Sequence, residues 1–89
     1  MNSSNTFPAL VLNPTDNVAV LLENVPARAE VQPGLFSTQR ISRGHKIAIA
    51  PMAEGDPVRK FGQIIGFASK PISGGEWVHE HNCGMGAEG

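Results

Sequence analysis

The sequence predicts a mostly β domain of short, twisted strands joined by tight corners, with few or no long helices. Three observations carry that expectation. No stretch sustains an apolar period of 3.6 over three turns, whereas several alternate with period two. Ten glycines and seven prolines, 17 of 89 residues, are enough to punctuate the chain every few positions. A weak motif recurs, an apolar residue followed by glycine at i+3 and an apolar residue at i+6, at Ile41/Gly44/Ile47, Met52/Gly55/Val58 and Ile72/Gly75/Val78. A degenerate copy at Val25/Arg28/Val31 has arginine in the glycine position. Each copy reads as a turn that needs left-handed backbone, feeding a short strand.

The elements follow in order. Residues 1–7 form a polar, Asn- and Ser-rich segment expected to be a flexible N-terminal tail, and 8–82 form the folded domain. Pro8 to Leu12 reads as a strand before the turn Asn13-Pro14-Thr15-Asp16. Val18-Ala19-Val20-Leu21-Leu22, bounded by polar residues on both sides, reads as a buried strand. His45 to Ala50 alternates Ile47 and Ile49 against alanines. Phe61 to Ala68 is a strand with Phe61, Ile65 and Phe67 on one face, and Gly62 and Gly66 within it signal a bulge or a close backbone approach. Trp77 to Asn82 alternates, with Trp77, His79 and His81 expected on one face. Residues 83–89 are glycine-rich and expected to be a flexible C-terminal tail.

Composition narrows the function classes. A net charge of −1 and a pI near 6.3 argue against a nucleic-acid or anionic-membrane surface, which needs clustered Lys and Arg. One cysteine, Cys83, precludes an internal disulfide and fits a reducing, cytoplasmic setting. No apolar run approaches the roughly 20 residues of a membrane span. The first residues lack the basic and apolar regions of a secretory signal.

The residues able to carry chemistry are few. His79 and His81, two apart in a strand, would hold their Cα atoms roughly 6–7 Å apart on one face, a spacing suited to one metal ion or one polar ligand. The plain alternative is two exposed strand histidines near a chain end. A metal site needs further donors, for which His45, Asp16 and Glu80 are the candidates. Gly44-His45-Lys46 sets a titratable ring beside a fixed cation, an arrangement suited to a carboxylate substrate, or simply a surface turn. Asp16-Asn17 fits Asx-turn chemistry that shapes a loop. Lys60 is an anion contact or a lysine whose stem lies along the strand, and Trp77 reads as core or interface. Cys83 has no neighbouring base in sequence to activate it.

Four segments, in order across residues 12 to 82, resemble one known family. They are Asn13-Pro14-Thr15-Asp16-Asn17-Val18-Ala19-Val20, Ile41-Ser42-Arg43-Gly44-His45-Lys46-Ile47-Ala48, Val58 to Ala68, and Ile72-Ser73-Gly74-Gly75-Glu76-Trp77-Val78-His79-Glu80-His81-Asn82. They resemble the N-terminal SAF domain of altronate and galactarate dehydratases, which has a β-clip fold. Asn13, Arg28 and Phe61 depart from the family's usual histidine, glycine and tyrosine.

The resemblance implies a hydro-lyase that removes water from a sugar acid or related 2-hydroxy acid to give a 2-oxo acid. The related sulfolactate sulfo-lyase, which expels sulfite and is built from small and large subunits, is the alternative, as is a non-catalytic binding or assembly module. The implied cofactor is a divalent metal, iron(II) first, with manganese or magnesium as alternatives. In the single-chain dehydratases a large catalytic domain follows the SAF domain. The expectation here is therefore a small subunit that works with a large catalytic subunit and a small hydroxy-acid substrate, without nucleic acid or membrane, in a complex that can form homo-oligomers. An N-terminal domain of a longer enzyme is a further reading. Within that frame His45 and Lys46 are the expected catalytic residues, Lys46, Lys60 and Asn82 the expected substrate contacts, and His79 and His81 the expected metal ligands.

Overall fold

A computed structural model describes residues 6–85; the expected flexible character of 1–5 and 86–89 lies outside the described residues. Nine short strands and no helix make up the described chain, as the sequence predicts. Among the described residues no helix is long and apolar enough to cross a membrane. A four-stranded antiparallel sheet orders β1 (Ala9–Leu10), β2 (Val18–Leu21), β5 (Lys46–Ala48) and β8 (Trp77–Val78) as β1-β2-β5-β8. A hairpin pairs β3 (Glu30–Gln32) with β4 (Leu35–Phe36). A three-stranded sheet orders β6 (Pro57–Lys60), β7 (Gln63–Ala68) and β9 (Cys83–Gly84) as β6-β7-β9.

The recurring motif organises the molecule. In all four copies the central residue has positive φ: Arg28 at 63°, Gly44 at 84°, Gly55 at 92° and Gly75 at 91°. Arg28 thus adopts the backbone that glycine supplies in the other three, at a steric cost of about 1 kcal/mol. The copies work in pairs. Val25 and Ile41 exchange reciprocal backbone hydrogen bonds, and so do Met52 and Ile72. The N–H groups of Arg28 and Gly44 donate to the carbonyls of Ser37 and Leu21. Those of Gly55 and Gly75 donate to Ala68 and Ala48 in the same relation. The chain is therefore one hydrogen-bond pattern used twice.

Each half builds its own core. Val25, Val31, Ile41 and Ile47 are buried with Ala19 and Leu21. Met52, Val58, Ile72 and Val78 are buried with Val18, Ala48 and Ala68. The sheet β2-β5-β8 runs between the two clusters, with alternate residues of β2 serving opposite ones. That double burial is why the run from Val18 is apolar without alternation.

Several boundaries differ from the sequence expectation. Phe61 is not on a strand face: with φ of 55° it shares a two-residue loop with Gly62, φ 80°, between paired Lys60 and Gln63, a type I′ turn. Gly66 marks both features expected of it. The register shifts beside it, and a Cβ there would lie 2.6 Å from the Gly84 carbonyl oxygen. That close approach lets β9 pair with β7, so Cys83 and Gly84 belong to a sheet and not to a tail. Phe7, likewise expected in a tail, donates its N–H to Glu30 and packs on the first cluster.

Candidate functional site

At the end of the β5–β8 ladder four rings meet. Ile47 pairs with Trp77 and Lys46 with Val78, so the same register brings His45 opposite His79. Their ring centroids are 5.3 Å apart. Trp77 lies diagonally across from His45 on the same sheet face, within reach of a large side chain. Their centroids are 5.6 Å apart in an edge-on arrangement, and the Trp77 Nε1–H donates to His45 Nδ1 at 3.2 Å. His79 stacks on the indole at 5.0 Å with planes only 10° apart, and His81 lies against it at 5.0 Å, tilted by 42°. His45, Trp77 and His79 are partly buried, whereas His81 is exposed.

The three imidazoles meet at Trp77, but not along the regular strand that the spacing predicts. β8 ends at Val78, and residues 79–82 form a turn closed by the N–H groups of Asn82 and Cys83 on the His79 carbonyl. Asn82 locks that turn. It is fully buried, its carboxamide nitrogen donates to the Trp77 carbonyl at 2.8 Å, and its oxygen accepts from the His79 N–H at 2.9 Å. The expectation that Asn82 contacts substrate is corrected accordingly. Its polar atoms are spent inside the protein, where they fold the chain back so that His79 and His81 reach Trp77.

The two lysines do not join the rings. Lys46 is next to His45 but alternates to the opposite face of β5, the face of Ala48 and Val78. There its ammonium acts on Cys83: burial pushes the Cys83 thiol up, and Lys46 offsets part of that rise. A single pocket holding His45 and Lys46 together is thus corrected by strand alternation. Lys60 belongs to the other sheet, with its Nζ 5.3 Å above the Phe61 ring.

The Asp16 carboxylate is engaged by loop backbone. Burial opposes its ionisation, but the backbone N–H groups of Gly62, Phe61, Leu12 and Asn13 outweigh that and hold its carboxyl below the usual range. Its Oδ1 accepts from Gly62 at 2.8 Å, tying the Asn13–Asp16 loop to the tip of the β6–β7 hairpin. Asn17 makes a second tie, donating to the Pro57 carbonyl and accepting from the Arg59 N–H. Both residues shape loops, as their position before an apolar strand suggests.

Among the described residues no group of three or more His, Cys, Asp or Glu side chains is arranged to hold a metal ion. The ring cluster offers imidazole nitrogens and an aromatic face, which suit proton handling and hydrogen bonding to a polar ligand. Sequence reasoning missed the part Trp77 plays. The period-two alternation that put it on the histidine face was the available signal, but the indole N–H is seen to have a partner only once β5 lies beside β8.

Comparison with known proteins agrees with the four-segment resemblance. The family described as "Altronate/galactarate dehydratase SAF domain" matches residues 7–86. Altronate dehydratase of Escherichia coli (strain K12) is 40% identical over 70 residues, covering 75% of this chain and 14% of the relative. Galactarate dehydratase (L-threo-forming) of the same organism is 31% identical over 68 residues, covering 74% of this chain and 13% of the relative. Altronate dehydratase of Bacillus subtilis (strain 168) is 52% identical over 42 residues, covering 47% of this chain and 8% of the relative. The chain thus spans about one-seventh of the length of the first two of these curated relatives. With its all-β architecture and the match running through every element, this chain belongs to the altronate/galactarate dehydratase SAF domain family.

Proposed function

We propose that this chain is the small subunit of a two-subunit hydro-lyase that removes water from a sugar acid or related 2-hydroxy acid. The observation that carries the reading is the convergence of His45, His79 and His81 on Trp77, within segments that the family model spans. The chemistry needs such groups. A base takes the proton next to the carboxylate, and the C–H electron pair becomes the new double bond. The hydroxyl on the neighbouring carbon leaves with a proton as water, and the resulting enol relaxes to a 2-oxo acid. Charge that builds on the carboxylate oxygens requires fixed hydrogen-bond donors or a cation.

His45, His79 and His81 would supply part of that acid–base and hydrogen-bonding set, and a large catalytic subunit would complete it. A divalent ion in the complete enzyme, iron(II), manganese or magnesium, would supply positive charge for the carboxylate oxygens. It would draw most of its ligands from that larger part, since the described residues of this chain offer no three-donor group. A lone free cysteine fits a reducing cytoplasm.

The test is reconstitution. The chain is co-expressed with a dehydratase-type large chain lacking its own SAF domain, and the purified complex is assayed on altronate, galactarate and sulfolactate. Water release from a sugar acid is the expected result; release of sulfite from sulfolactate would move the chain to the sulfo-lyase reading. Alanine at His45 or His81 is expected to lower turnover at least about 100-fold, the scale of acid–base groups. Near-normal turnover in both variants would leave only a binding or assembly module.

A further inference from the structure

The indole N–H of Trp77 has one chemical role, that of donor. It meets His45 at Nδ1, 3.2 Å away, so Nδ1 is the acceptor and the ring's single proton sits on Nε2. A ring in that tautomer presents an N–H donor at its other nitrogen, with no free lone pair there to take a proton. Three further contacts fix the assembly. His79 stacks on the indole, His45 lies 5.3 Å from His79, and Asn82 holds the Trp77 carbonyl from within the core. Trp77 is thus gripped on its ring face and on its backbone, and its N–H points where β5 brings His45.

We infer that Trp77 is a positioning residue that fixes His45 as an Nε2–H donor, so that His45 stabilises a developing carboxylate or enolate oxygen and does not abstract the α-proton. The base then comes from another group, on this chain or on the larger partner. This rests on the reading of the ring cluster as part of a dehydratase site. It deepens that reading by assigning His45 to the hydrogen-bond donors of the site and not to its proton-transfer groups. A preorganised donor aimed at developing charge is the kind of group that lowers an elimination barrier.

Two experiments separate the geometry from the function. The first uses the chain alone. Nitrogen-15 NMR of the wild-type protein is expected to show His45 protonated at Nε2 and bare at Nδ1, with a scalar coupling across the hydrogen bond to the Trp77 indole nitrogen. Trp77→Phe, which keeps a stacking ring but removes the N–H, is expected to release His45 into a mixture of tautomers. A wild-type His45 protonated at Nδ1 would overturn the inference without any variant, as would an unchanged tautomer in Trp77→Phe.

The second experiment uses the reconstituted complex. His45→Gln retains an N–H donor but no useful base. It is expected to keep turnover within about 10-fold of wild type where His45→Ala loses about 100-fold or more. Trp77→Phe is expected to lower kcat about 10-fold with little change in KM, as lost orientation does. A glutamine variant as inactive as alanine would overturn the donor role even with the tautomer as stated. A fully active His45→Ala would overturn the dehydratase role of His45 instead, leaving the Trp77 hydrogen bond as a structural feature.

Discussion

Asp16 shows how a single side chain decides whether two loops stay together. Its carboxylate gathers backbone N–H groups from Leu12, Asn13, Phe61 and Gly62, and its carboxyl is held low as a result. A carboxyl that titrates lower in the folded than in the unfolded protein stabilises the fold at pH values above the ordinary value near 4. That contribution is lost as pH falls through the folded value. Asp16→Asn is expected to lower the melting temperature at neutral pH and to flatten its decline into acid, measured by thermal melts across the acid range. The corner residues allow a second comparison. A Cβ on Gly44 would meet nothing, so Gly44→Ala tests left-handed backbone alone and is expected to cost about 1–2 kcal/mol. A Cβ on Gly75 would overlap the Phe36 carbonyl, and Gly75→Ala is expected to cost clearly more. Arg28→Gly, at the one corner without glycine, is expected to raise stability by up to about 1 kcal/mol. Denaturant midpoints of the three variants check the set.

At the scale of the element, the important boundary is the end of β8. An uninterrupted strand through Asn82 would have placed Glu80 and Asn82 on one face and the histidines on the other by alternation alone. The turn at 79–82 instead buries Asn82 and uses it as a clasp between Trp77 and His79. Asn82→Ala leaves the Trp77 carbonyl and the His79 N–H without these partners and is expected to destabilise the domain by about 1–3 kcal/mol. The same variant is expected to disperse the rings. Loss of the ring-current shifts that the indole imposes on His79 and His81 in proton NMR is the measurement that checks it, and unchanged shifts would show that the rings hold without the clasp.

At the scale of the whole molecule, two small cores flank one sheet and share the task of stabilising 89 residues. A domain of this size has a small margin of stability, so anything that binds only the folded form adds visibly to it. The two-subunit reading therefore predicts a melting temperature for this chain that rises with the concentration of the large chain. The gain would be about 2.7 kcal/mol at a hundredfold excess over Kd. A melting temperature insensitive to the large chain would count against that reading.

The sequence by itself determined the class of fold and its corners. Left-handed backbone is a local property, so the motif centred on Gly44, Gly55 and Gly75 could be read from spacing, and even Arg28 complied. Burial of β2 was legible in its unbroken apolar run, and the loop roles of Asp16 and Asn17 in their polar chemistry before it. What tertiary structure alone decided was pairing. Which corner meets which, that β9 closes the second sheet, that Lys46 faces away from His45, and that Trp77 donates to His45 all depend on contacts between residues far apart in sequence. Local propensity carries no information about such partners; they are selected by the joint burial of two clusters, which no single segment encodes.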